Sequence, residues 1–154
     1  MGNNPINRVD PLGLFGRDVH FDLTYDLALQ AGFTQANANT IASANQGLDD
    51  NFLTGPFNVF GGTQLHFMSP EKAKRVIIQS IQTNNLKDFG KSLHKLQDTY
   101  SHYKQGYRWY SGGHIKYGHN PDTSYVNTNT QDMTYESLNY LKQFKKAFYS
   151  NCRN

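Results

Sequence analysis

A single cysteine, Cys152, stands in 154 residues. One thiol closes no internal disulfide and builds no thiolate zinc site, so a metal centre here has to be assembled from imidazole and carboxylate. Charge is sparse and nearly balanced, with 15 Lys and Arg against 12 Asp and Glu for a formal +3. That balance suits an anionic substrate but is far from the dense basicity of a dedicated nucleic-acid binder. No apolar run reaches the roughly 18 residues of a membrane span, and the opening residues lack the charged start and apolar middle of a signal peptide. The His-Glu-x-x-His of the zinc peptidases is missing as well. Apolar residues are scarce at 37%, yet 14% of the chain is aromatic, and large rings close a core that aliphatics alone would leave thin. The length sets one core.

What is present is helical periodicity between two breaker-rich stretches. Leu23, Leu27 and Ala31 recur every four residues from His20 onward, and Gly32 follows where a helix end favours positive φ. Thr34 caps a second helix of small residues through Ala36, Ala38, Ile41, Ala42 and Ala44, interrupted at Gly47 before Asp49 and Asp50. Residues 51–66 hold Gly55, Pro56, Gly61 and Gly62 and read as a loop ending at His66. Ser69-Pro70-Glu71 opens a third helix to about Gln82, and Asn84 or Asn85 opens a fourth. In the fourth, Leu86, Phe89, Leu93, Leu96 and Tyr100 form a buried stripe reaching His102. Residues 104–131, rich in Gly, Asn, Tyr and Ser, read as a second loop. Thr134 caps the last helix, with Leu138, Leu141, Phe144 and Phe148 inward and Lys142, Lys145 and Lys146 outward. The expectation is an all-α fold of about five helices with two long loops around a His/Asp metal cluster.

The chemistry concentrates on the fourth helix. His94, Asp98 and His102 are spaced by four, so they project from one side of an α-helix along about 12 Å of its axis. Such a row suits more than one ion, because its outer members are too far apart to grip one tetrahedral zinc while each can share Asp98 with a neighbouring ion. The same spacing also suits helix-stabilising pairs on a polar face. Around it stand His20 after Asp18, the pair Asp49-Asp50, His66, and the loop residues His114, His119 and Asp122.

Residues 3–16 carry prolines and glycines without periodicity and read as a linker, leaving 17–154 as the domain proper. The string Asn4-Pro5-Ile6-Asn7-Arg8-Val9-Asp10-Pro11-Leu12-Gly13-Leu14 resembles the closing motif of the Rhs repeat-associated core. In that family a β-shell encloses a variable C-terminal toxin and cuts it free after Asp-Pro-x-Gly-Leu. The resemblance implies an effector of interbacterial competition, of the kind carried by type VI secretion. It would be delivered into a target cell, acting in either its cytoplasm or its periplasm, with the Rhs shell and a cognate immunity protein as partners.

The order of histidines and carboxylates over residues 18–125 is similar to that of the zinc-dependent phospholipase C and P1-type nuclease superfamily, an all-α group with about three zinc ions. That resemblance implies His20, Asp50 (or Asp49), His66, His94, Asp98, His102, His119 and Asp122 as ligands of two or three zinc ions, with Asp98 bridging. His102 follows Asp98 by a shorter step than in the classical enzymes, Asp122 follows His119 by three residues instead of four, and His114 competes with His119. The family's N-terminal amine ligand would fall to Phe15 after cleavage behind Leu14, with Asp18 as the rival.

The implied activity is metal-activated attack of water on a phosphodiester, with Asp50 and Asp98 catalytic. Lys95, Tyr103 and Arg108 would contact a phospholipid or nucleic-acid substrate. Phospholipase C-like hydrolysis is the leading expectation and a P1-type nuclease the next. A metal-stabilised or membrane-disrupting toxin without hydrolysis belongs to a third class, in which loss of Asp98 would cost stability and leave toxicity.

Overall fold

The computed structural model describes residues 17–51, 65–103 and 127–151, and the fold is all-α. Among the described residues five α-helices follow in order: α1 Thr24–Ala31, α2 Gln35–Asp50, α3 Pro70–Thr83, α4 Leu86–Asp98 and α5 Asn127–Asn151. Among the described residues there is no strand. Two π-helical turns flank the bundle's polar centre, Asp18–Leu23 leading into α1 and Thr99–Tyr103 leaving α4. The linker 1–16 and most of both breaker-rich stretches lie outside the described residues.

Local chemistry sets most helix ends. Thr34 accepts from the Asn37 amide, Ser69 from Lys72 ahead of Pro70, and Asn85 from Lys87 and Asp88, each satisfying a donor that the first helical turn leaves over. Gly32, at φ +91°, lets the chain reverse after α1, with Gly32 and Phe33 amides bonded to Leu29 and Ala28 carbonyls at 2.9 and 3.0 Å.

Three boundaries differ from the sequence expectation. Gly47 does not interrupt α2, which runs unbroken to Asp50; the cost of a helical glycine, about 1 kcal/mol, is outweighed by the buried face of Ala38, Ile41, Ala42, Asn45 and Leu48. Thr134 caps nothing, because α5 begins at Asn127: Thr130, Met133 and Ser137 are buried at helical spacing and extend the inner face a turn and more upstream. The first and fourth helices are also not α throughout. The segment at His20 and the turn after Asp98 are wound as π, and the Thr24 hydroxyl donates to the Val19 carbonyl five residues back at 3.2 Å.

The core joins Leu27, Ile41, Ile77, Phe89, Leu93, Leu96, Leu141 and Phe144, all almost fully buried. Phe89 and Phe144 stack at 4.1 Å and 8°, tying α4 to α5. The most extensive helix contact is between α2 and α4, and it carries the site.

Candidate metal centre

The helices α2 and α4 meet in matched steps of one turn. Gly90 lies against the Ile41 carbonyl, Asn45 Oδ1 lies 3.1 Å from His94 Nδ1, and a turn further on Asp49 and Asp98 both reach His94 Nε2, at 3.5 and 3.1 Å. The π turn before α1 adds His20, whose Nε2 lies 3.2 Å from Asp98 Oδ1 and 3.9 Å from Asp49 Oδ2. Its ring packs on that of His94 at 4.0 Å. His66, in helical residues 65–66 before α3, brings Nδ1 to 2.7 Å from Asp98 Oδ2, 3.6 Å from Asp49 Oδ1 and 3.0 Å from His94 Nε2. Five side chains from four segments thus converge. His20, His66, His94 and Asp98 are buried, whereas Asp49 keeps 20% of its side chain exposed and marks the side open to solvent.

These groups can hold a metal ion. Two overlapping sets, His20–His94–Asp98 and Asp49–His66–His94, place their donor atoms within 4.8 Å of one another. Ligands on adjacent corners of tetrahedral zinc, at arms of about 2.0–2.1 Å, stand about 3.3 Å apart. The separations of 3.1, 3.2, 3.5 and 3.6 Å between imidazole nitrogens and carboxylate oxygens bracket that value. Imidazole with carboxylate is a donor set that suits a divalent transition metal. Asp98 faces both ways, with Oδ1 toward His20 and Oδ2 toward His66 and His94.

The electrostatics follow from burial and charge. Burial works against a charged His20, but Asp49 and Asp98 beside it prevail and raise its pKa from 6.5 to about 9. Burial dominates at His94 and lowers its pKa, with His20 adding to the effect against the pull of Asp98.

Behind the imidazoles lies a layer of buried amides. Asn45 Nδ2 donates to Thr24 Oγ1 and Gln97 Oε1 at 3.1 and 2.9 Å. Gln97 Nε2 donates to Thr24 Oγ1 at 3.0 Å, and Gln97 Oε1 lies 3.0 Å from His20 Nδ1.

Of the residues singled out in the sequence, His20, His66, His94 and Asp98 come together. Asp50 does not join them: it is exposed and accepts a hydrogen bond from Gln46 at 3.0 Å. Asp49 takes the inward place because it stands one turn beyond Asn45, whereas the next residue is rotated by about 100°. Asp18 sits at the start of the π turn, outside both donor sets. Lys95 is partly buried and has its pKa lowered by burial and by Lys91 and Lys72, so it belongs to a cluster of lysines. His102 and Tyr103 belong to the π turn after Asp98, and their side chains fall outside the described residues, as do Phe15, Arg108, His114, His119 and Asp122 altogether.

Asn45, Gln97 and Gly90 support the site without standing out in the sequence. A usable signal was there, since Asn45 stands on the helical face of Ile41 and Ala42, and Gln97 stands between Leu93, Leu96 and the site residues His94 and Asp98.

Residues 16–75 match a family model described as a family of unknown function, DUF6765. The matched span takes in His20, Asn45, Asp49 and His66 and stops short of His94 and Asp98. No curated protein and no solved structure matches the chain.

Proposed function

We propose that the chain is a zinc-dependent phosphodiester hydrolase of the phospholipase C type, acting as the toxin segment of an Rhs effector. The observation that carries the reading is Asp98, a buried carboxylate with one oxygen toward His20 and the other toward His66 and His94. With Asp49, His20, His66 and His94 around it, Asp98 would hold zinc, which would supply a water of lowered pKa and a Lewis acid for a phosphoryl oxygen. The rings of His20, His66 and His94 are buried. Of the two carboxylates described in the cluster Asp49 is the more exposed, at 20%, and it takes the catalytic place expected of Asp50.

The Asn4–Leu14 motif supports delivery from an Rhs shell into a target cell and a cognate immunity protein. The mild positive charge suits phosphodiesters generally, so the substrate is decided by assay. Zinc-loaded protein is incubated with phosphatidyl lipids and with single-stranded DNA and RNA, alongside elemental analysis. Release of a phosphorylated head group with nucleic acid intact is the expected result. Cut nucleic acid with intact lipid would make it a P1-type nuclease, and zinc without either activity would overturn the hydrolase reading.

A further inference from the structure

The amide layer has a polarity that can be worked out atom by atom. Val19 O, a backbone carbonyl, only accepts, so the single hydroxyl hydrogen of Thr24 is directed to it. Thr24 Oγ1 is then an acceptor for its other two neighbours, and both amides must turn their NH₂ groups toward it, Asn45 at 3.1 Å and Gln97 at 3.0 Å. This fixes which end of each amide is oxygen, an assignment that rests on the hydrogen-bond network. Asn45 Oδ1 and Gln97 Oε1 therefore face His94 Nδ1 at 3.1 Å and His20 Nδ1 at 3.0 Å. An oxygen facing a ring nitrogen at that distance requires the hydrogen on the nitrogen.

We infer that Asn45 and Gln97, oriented by Thr24, are positioning residues that hold the hydrogen of His94 and His20 on Nδ1, so that Nε2 is the atom each ring presents to a metal ion. This deepens the metal-centre reading and rests on it. Two consequences agree with the geometry. Both Nε2 atoms point at Asp98, 3.2 and 3.1 Å away. Moreover, Nε2 of His94, left without the ring's hydrogen, sets a lone pair against Asp98 Oδ2 at 3.1 Å, a contact that a cation between the two atoms would relieve. His66 differs in turning Nδ1 toward the carboxylates.

The test uses the whole chain. Long-range ¹H–¹⁵N correlation spectra of the metal-free protein read the tautomer of His94, and competition with a chromogenic chelator reads zinc affinity. The wild type is expected to show His94 protonated on Nδ1. Asn45→Leu, which removes the acceptor, should lose that preference and bind zinc about 10–100-fold more weakly. The described hydrogen bonds of Thr24 go to Val19, Asn45 and Gln97; by freeing both amides to turn, Thr24→Val should shift the same tautomer and weaken zinc in the same direction, and it carries the test if Asn45→Leu does not fold. His94 protonated on Nε2 in the wild type, or unchanged zinc affinity in a folded Asn45→Leu or Thr24→Val, would overturn the assignment. If the wild type takes up no zinc, the metal-centre reading fails, and the tautomer, which is read without metal, still decides what Asn45 does.

Discussion

Gly90 approaches the Ile41 backbone so closely that a Cβ on it would lie 2.4 Å from the Ile41 carbonyl oxygen and 2.9 Å from Ala44 Cβ. The glycine thus sets the separation of α2 and α4 one turn before Asn45 meets His94. Gly90→Ala gains helix propensity but cannot fit without moving backbone. It is expected to destabilise by about 1–3 kcal/mol and to weaken zinc binding by parting Asp49 from Asp98. Gly47 is the control, with nothing within 4 Å of a built Cβ, and Gly47→Ala should stabilise by about 0.5–1 kcal/mol. Urea unfolding of both variants checks this, and a Gly90→Ala as stable as Gly47→Ala would refute the close-packing account.

Metal should be a large part of the protein's stability. His20, His66, His94 and Asp98 are buried as a group, and the unfolded chain has no such assembled set, so a metal ion held by them stabilises the native state. Free zinc at a hundredfold excess over Kd should add about 2.7 kcal/mol, read as a rise in Tm that a chelator reverses. His94→Ala, which removes the ligand common to both donor sets, should abolish the difference between zinc and chelator. A zinc-dependent rise that survives in His94→Ala would place the metal elsewhere.

The local signals were legible where a hydrogen bond between near neighbours decides the structure. Ser69-Pro70-Glu71, Thr34 and Gly32 each do in the fold what their types imply. Thr134 offered the same kind of signal and lost to burial of Thr130, Met133 and Ser137, a tertiary effect that a cap motif does not contain. The site was half legible for a similar reason. His94 and Asp98 stand at helical spacing on one element, whereas Asn45 meets His94 only through helix pairing, and an uncharged amide attracts no notice by itself. The choice between Asp49 and Asp50 turned on helix phase, which the supposed break at Gly47 concealed.

In the metal-free chain the His20 proton is a stability term. Its folded pKa of about 9 lies above the ordinary 6.5 because Asp49 and Asp98 outweigh the burial that opposes the charge. The native state therefore binds this proton more tightly than the unfolded one. The contribution is complete below about pH 6.5 and is lost as pH rises through about 9. Urea unfolding of chelator-treated protein between pH 6 and 10 should show a decline that is shallower in His20→Gln. A wild type that gains stability over this range relative to His20→Gln would show that the proton is not held there.

Tyr100 secures the turn that follows Asp98. Its hydroxyl donates to Glu136 Oε2 on α5, while Lys74 on α3 lies 2.8 Å from Glu136 Oε1. Burial first, then the bond to Glu136, raises the Tyr100 pKa, so the phenol stays a donor throughout the neutral range. The two partners of Glu136 should matter unequally. Tyr100 is 5% exposed, and losing a hydrogen bond to a charged acceptor costs about 1.5–3 kcal/mol; Lys74 is 47% exposed, where an ion pair contributes about 0–1 kcal/mol. Tyr100→Phe should accordingly destabilise more than Lys74→Met. It should also lower zinc affinity, because the π turn it anchors begins at the residue after Asp98. Urea unfolding ranks the two variants and chelator competition reads the zinc. A larger loss from Lys74→Met, or unchanged zinc binding in Tyr100→Phe, would mean that Glu136 holds α3 to α5 without supporting the metal centre.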